Sequence, residues 1–160
     1  MDPITLTPIG VVRSPYQQPQ DTPIQPGATH GVAGRVELEP QYAEGLADLD
    51  GFSHIVLVTY LHLAKFSGLR VTPFLDEQPR GLFATRAPAR PNPIGLSLVR
   101  LERIAGTTLH ILDVDLVDGT PVLDIKPYVP AFDQPEDFRI GWLTDRVARY
   151  REARDDGRFA

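Results

Sequence analysis

The sequence predicts a mainly β fold: a compact antiparallel β-barrel of about seven strands, with a short helix and a C-terminal helix. Three observations carry this. Short β-branched and aromatic runs recur along the 160 residues, separated by turn residues, and sixteen prolines and thirteen glycines suit short strands joined by ordered turns. The runs do not alternate with helical segments, so a doubly wound parallel sheet is not expected. A sheet without covering helices hides its edges best by closing on itself. The length fits one domain, residues 1–160, that buries roughly 70% of its unfolded surface.

Ile4 to Val12 is rich in Ile, Val and Thr and reads as the first strand. RSPYQQPQDTPIQPGATHG, from Arg13, is a long loop of the kind that carries function or lacks structure. GRVELEP alternates Val36 and Leu38 with Arg35, Glu37 and Glu39, a half-buried strand. QYAEGLADLDGF holds a short helix that stops at Asp50–Gly51. SHIVLVTYLHL, Ser53 to Leu63, is a buried strand. After an irregular stretch from Ala64 to Gln78, RGLFATR (Arg80 to Arg86) and IGLSLVRLERI (Ile94 to Ile104) are further strands. Ile94, Leu96 and Leu98 are expected in the core. The Asp118–Gly119 pair lies between two strand-like runs and predicts a hairpin. Lys126-Pro127-Tyr128 ends the second arm. In the tail, residues 130–160, Ile140, Leu143, Val147 and Tyr150 form one helical stripe, and Pro135-Glu136-Asp137 suits a helix start.

Composition narrows the chemistry. The chain has no cysteine, which removes disulfides, thiolate metal sites and thiol nucleophiles. His30, His54, His62 and His110 lack ligand spacing, so no metal is expected. Neither GxGxxG nor GxxxxGK[ST] occurs, and HExxH and GxSxG are missing too. MDPITLTPIG has no basic start or apolar core of a secretory signal, and the longest apolar run, Ile55 to Val58, is too short for a membrane span. A cytoplasmic protein is expected. The net charge of −5 confines any RNA contact to one face.

RAPARPNPIGLS, residues 86 to 97, concentrates stiffness and charge. Pro88, Pro91 and Pro93 fix their own φ and push Ala87, Arg90 and Asn92 to extended shapes. A rigid loop results. Arg86 and Arg90 stand roughly 13 Å apart along it, presenting guanidiniums suited to carboxylate or phosphate. The other reading is a structural connection with surface ion pairs. DVDLVDGTPVLDIKPY adds Asp113, Asp115, Asp118 and Asp124. Asp113 and Asp115 alternate with Val114 and Leu116, which fits either a ligand-facing or a solvated strand face.

FATRAPARPNPIGLS together with DLVDGTPVLDIKPYVP resembles the TsaA-like, or YaeB-like, family of S-adenosylmethionine-dependent tRNA methyltransferases called TrmO. IGVVRSPY (Ile9 to Tyr16), QPG (Gln25 to Gly27) and GFSHIVLVTYLH (Gly51 to His62) extend the likeness over most of residues 9–130, in the family's order. The resemblance implies a β-barrel that binds S-adenosyl-L-methionine without a Rossmann motif. It implies a homodimer with the site near the subunit boundary. The implied reaction is methylation of N6 on N6-threonylcarbamoyladenosine at position 37, in the tRNA anticodon loop. Implied cofactor contacts fall on Gln25, Pro26, Gly27, His62, Leu63, Arg86, Leu96, Asp113, Val114, Asp115 and Leu116. Arg86 is then expected at the cofactor end, and Arg90, Asn92 and Lys126 on the substrate side. Ile94, Leu96 and Leu98 could also floor the adenine pocket. Asp115, Asp118 and Tyr128 are candidates for a base. A methyltransferase for another RNA nucleoside or a small amine, and a non-catalytic cofactor-binding module, are the competing readings. In the tail, Arg139, Arg146 and Arg149 form a modest basic rim.

Overall fold

The structure is a computed structural model that describes residues 2–20, 22–28 and 30–160. Asp21 and Thr29, within the predicted long loop, lie outside the described residues. Six antiparallel strands form a closed barrel: β1 (Gly10–Arg13), β2 (Ala33–Leu38), β3 (His54–Tyr60), β6 (Ile94–Ala105), β7 (Thr108–Leu112) and β8 (Pro121–Pro127), in the order β1-β2-β7-β6-β3-β8. A separate two-stranded ribbon pairs β4 (Arg70–Val71) with β5 (Arg80–Gly81). No helix among the described residues is long and apolar enough to cross a membrane.

Alternation closes the barrel. Val12, Val36, Ile55, Leu57, Val99, Leu109, Ile111 and Val122 point inward and are almost wholly buried. Their neighbours face out, as period-two patterning requires. On β6 the inward set is Ser97, Val99 and Leu101, because β3 pairs Leu57 with Ser97 and Ile55 with Val99. Ile94, Leu96 and Leu98 therefore lie outside the barrel and are exposed, contrary to the expectation of core packing. Both faces of IGLSLV are apolar enough to be buried. Only the register decides, and a one-residue slip exchanges the faces.

The strand-to-strand connections hold a second correction. β7 pairs with β6 and β2, whereas β8 pairs with β1 and β3. The Asp118–Gly119 turn is real but closes no hairpin between those arms. Asp113 adopts φ +68°, a left-handed conformation that aspartate tolerates better than most residues. There the chain leaves β7 and crosses the barrel mouth to reach β8 on the opposite wall. Val114 and Leu116 are buried as a plug against the core. Gly119 N–H then bonds Val12 O at 2.9 Å, and Asp118 N–H bonds Tyr16 O at 2.7 Å, so the turn docks on the start of the long loop. The two-residue hairpin lies instead at Gly106-Thr107, where Ala105 pairs with Thr108.

The tail is not one helix. A four-residue α-helix, α1 (Pro130–Asp133), is followed by 3-10 turns at Gly141–Leu143 and Val147–Arg151. Gly141 sits at φ +54°, outside the helical region, and the stripe residues Ile140 and Val147 remain exposed. Separate anchors take the place of one amphipathic face. Trp142 Nε1 donates to Ala84 O at 2.8 Å, Arg154 bridges to Pro23, and Lys65 N–H donates to Phe159 O at 3.0 Å. Phe159 is buried with Val71, Leu82, Ala87 and Ala89, edge-on to Phe74. This second small core fastens the 64–90 segment to the tail. RGLFATR accordingly gives only the two residues of β5 and a 3-10 turn at Leu82–Ala84. The short helix predicted before Asp50 is likewise two 3-10 turns, Pro40–Leu46 and Leu49–Gly51.

Candidate functional site

The interior changes character toward the plugged mouth. Inward residues along β3 run Ile55, Leu57, Thr59, and those along β6 run Leu101, Val99, Ser97, Gly95, with Thr59 paired to Gly95. Thr59 is fully buried, and its hydroxyl has no hydrogen-bond partner among the described residues. A buried hydroxyl without a partner costs stability, which makes this end of the barrel the candidate for binding a polar group. Gly95 is required beside it: a Cβ there would stand 2.7 Å from Thr59 Oγ1 and 2.9 Å from Leu61 Cδ2.

Asp115 lies on the crossing segment above this end. Ser97 Oγ donates to its Oδ1 at 2.7 Å. Burial pushes the Asp115 carboxyl up to about 7, against the opposing pull of Ser97 and the Arg86 guanidinium. Tyr16, from the long loop, is close enough to feel the charges of Asp115 and Arg154, and burial raises its phenol. Arg86 also reaches Gln25, donating from Nη1 to Oε1 at 3.0 Å. Gln25 leads into a 3-10 turn, Pro26–Ala28, with Pro26 buried. Gly27 lets this turn lie against the tail, since a Cβ there would be 2.7 Å from the Tyr150 hydroxyl. His62 and Leu63 follow the end of β3 and are exposed. The backbone just before them is fixed by Leu61 N–H to Pro93 O at 2.7 Å.

Gln25, Arg86, Asp115 and the flanking Val114 and Leu116 thus meet at one mouth. Other predicted residues are engaged elsewhere. Asp113 accepts from Gly31 N–H at 2.7 Å and stands 3.6 Å from Arg100. Asp118 accepts from Ser14 N–H at 3.0 Å, which fixes its turn. Arg90 donates from Nη1 to Thr85 O at 2.9 Å and lies over the Phe83 ring. Asn92 is exposed, and its carbonyl accepts from Ile94 N–H at 2.7 Å. Leu96, 59% exposed, lies outside the barrel opposite Val58. Lys126 pairs with Asp124 at 2.7 Å, and the Tyr128 hydroxyl accepts from Gln134 Nε2 at 2.5 Å. Both sit toward the opposite end of the barrel, where Tyr128 N–H bonds His54 O. Sequence reasoning missed Thr59, Ser97, Tyr16 and Tyr150. The signal for Ser97 and Thr59 was a small polar residue at an inward position of an otherwise apolar strand.

The cluster suits a ligand that is both cationic and polar. It offers a carboxyl poised near neutrality, an arginine and an amide beside it, an unpartnered buried hydroxyl, and a glycine cradle. Among the described residues, no three His, Asp or Glu side chains are grouped as metal ligands would be.

The raised Asp115 sets a pH dependence. Its unfolded counterpart titrates near 3.9, so between about 4 and 7 the native protein binds more protons than the unfolded chain. Stability therefore falls as pH rises through that window. Urea denaturation is expected to give a lower midpoint at pH 8 than at pH 5. Asp115→Asn should remove most of that difference and exceed the parent at pH 8; an unchanged slope would place the titration elsewhere.

Comparison with known proteins shows the family. The sequence model of the tRNA-methyltransferase O N-terminal domain matches residues 11–134. A probable S-adenosyl-L-methionine-binding protein of Pyrococcus abyssi is 55% identical over 98% of this chain and 85% of its own length. The tRNA (adenine(37)-N6)-methyltransferase of Escherichia coli K12 is 42% identical over 76% of this chain, which spans only 56% of that protein. The crystal structure of TrmO from Pseudomonas aeruginosa superposes with a TM-score of 0.74 at 38% identity, covering 88% of this chain and 63% of that one. The chain belongs to the tRNA-methyltransferase O N-terminal domain family.

Proposed function

We propose that this protein is an S-adenosylmethionine-dependent methyltransferase that methylates N6 of N6-threonylcarbamoyladenosine at position 37 of tRNA. The observation that carries it is the Gln25–Arg86–Asp115–Ser97 cluster at the plugged mouth, in a chain of this family. When bound, S-adenosylmethionine supplies an activated methyl group on a sulfonium. Ionised Asp115 is the charge partner for a cationic group of the cofactor, and Ser97 holds that carboxylate in place. Arg86, steadied by Gln25, receives the methionine carboxylate. Val114 and Leu116 floor the site, and Gln25, Pro26, Gly27, His62 and Leu63 wall it.

The methyl donor is already activated, so the residues act mainly by positioning, which can supply about 7 to 11 kcal/mol. The methylated nitrogen gives up one proton. Among the three base candidates, Asp115 alone belongs to the cluster, where an Oδ atom of its carboxylate is the group placed to receive that proton. The protein works where tRNA is found, in the cytoplasm.

The chain acts as a homodimer. Tyr60–Ile94, Val58–Leu96 and Val56–Leu98 are cross-strand pairs on the outer face of β3 and β6, and they form an apolar stripe on the monomer. A stripe of this kind is a docking surface, and a second copy is its proposed occupant.

Two predictions follow from these roles. Labelled methyl from S-adenosylmethionine is expected to pass to threonylcarbamoylated tRNA and not to unmodified tRNA; transfer to unmodified tRNA would point to another nucleoside, and binding without transfer to a non-catalytic module. In the same preparations Arg86→Ala should weaken cofactor binding at least tenfold by calorimetry, about 1.4 kcal/mol. Separately, Leu96→Glu should convert a dimer to a folded monomer in sedimentation equilibrium. A parent protein that is already monomeric at micromolar concentration would remove the dimer.

A further inference from the structure

The net charge of −5 is unevenly distributed. Eleven of the sixteen lysines and arginines, but only eight of the twenty-one acids, fall in residues 64–90 and 136–160. Those two segments carry a net +3 and the rest of the chain −8. They are also the segments that the second small core and the tail anchors join into one layer beside the mouth.

Aromatic rings accompany these cations. Arg90 lies 5.8 Å from the Phe83 ring centroid, and Arg80 lies 5.4 Å from that of Trp142. Both pairs flank a single short turn, because Trp142 Nε1 bonds Ala84 O, next to Phe83, and Arg90 bonds Thr85 O. Arg86, the next residue, turns to Gln25 and Asp115 in the site. Phe83 is 76% exposed although it stands one residue from buried Leu82. Packing does not explain its position: Leu82 and Thr85 hold the turn through Thr85 N–H to Leu82 O at 3.0 Å, and the Phe83 ring extends away.

We infer that Phe83 and Arg90, with Trp142 and Arg80 beside them, form the platform that receives single-stranded RNA bases next to the one being methylated. This rests on the tRNA reading above and assigns its docking surface. Unpaired bases stack on an exposed aromatic ring whatever their identity, and the Arg90 guanidinium beside the ring meets the backbone phosphates, while Arg80, ion-paired with Asp76 at 2.6 Å, holds the Trp142 ring. The acidic barrel repels the same phosphates, so the charge distribution leaves this layer as the RNA face. Arg90, held by the loop's own carbonyls, is fixed over Phe83 rather than free to sweep solvent.

Fluorescence anisotropy with a labelled anticodon stem-loop RNA carrying threonylcarbamoyladenosine tests the platform. Phe83→Ala is expected to weaken RNA binding roughly 5- to 100-fold, with S-adenosylmethionine affinity unchanged by calorimetry. Phe83→Trp should restore it. Arg35→Gln, on the acidic barrel, should leave it unchanged. Full RNA affinity in Phe83→Ala, or an equal loss in Arg35→Gln, overturns the platform while leaving the tRNA reading intact. A parent protein that binds the cofactor but no RNA overturns the tRNA reading itself, and the platform with it.

Discussion

The structure depends on one constraint: a six-stranded barrel must fill its interior while keeping one end chemically usable. The lower interior is filled by Val, Ile and Leu from every strand. Toward the mouth the inward positions become Thr59, Gly95 and Ser97, too small and polar to complete the packing. The crossing segment Asp113–Thr120 completes it instead, with Val114 and Leu116 as the plug. Placing apolar side chains at alternate positions of a crossing chain leaves Asp115 between them, bonded to Ser97. The half-buried position of that carboxyl is a direct consequence of how the barrel is closed. Its shift toward neutrality is the electrostatic expression of the same fact.

A second layer depends on the first. Gln25 and Arg86 come from loops with little regular structure, and such loops need outside support to hold a geometry. The prolines of RAPARPNP stiffen one of them. The tail supports both: Tyr150 lies against Gly27, Arg154 bridges to Pro23, and Phe159 packs with Ala87 and Ala89. The family model ends at residue 134, so these supports come from residues beyond the matched segment. The same arrangement gathers positive charge beside the mouth of an acidic protein.

The central strands were legible because period-two patterning records burial directly, whereas the first strand, expected from Ile4, begins only at Gly10, and Ile4 and Leu6 lie exposed before it. β6 ends within one residue of its expected span, whereas β3, expected over Ser53 to Leu63, runs His54–Tyr60 and stops three residues early. What local pattern does not record is which apolar face turns inward, and IGLSLV carries apolar residues on both. Pairing with β3 chose the face with Ser97. The Asp118–Gly119 turn was legible as a turn but not as part of a crossing, because the kink at Asp113 is a property of one φ angle. The tail stripe from Ile140 to Tyr150 read as a helix, yet a helix forms stably only where its face has a surface to bury. Here the available surface is a set of separate anchor points. Of the side chains gathered at the mouth, Arg86 and Asp115 stand in prominent motifs, whereas Ser97 and Thr59, which give Asp115 its surroundings, carry no such signal. Their importance lies in a cross-barrel register.

The central claim is that Asp115, half-buried at the mouth by barrel closure, meets a positive charge of the cofactor. S-adenosylmethionine binding measured by calorimetry at pH 7, in buffers of differing ionisation enthalpy, tests this most directly. A cation beside a carboxyl poised near 7 lowers its pKa, so the account predicts proton release on binding, lost in Asp115→Asn. Binding with no change in protonation, or with proton uptake, would contradict it.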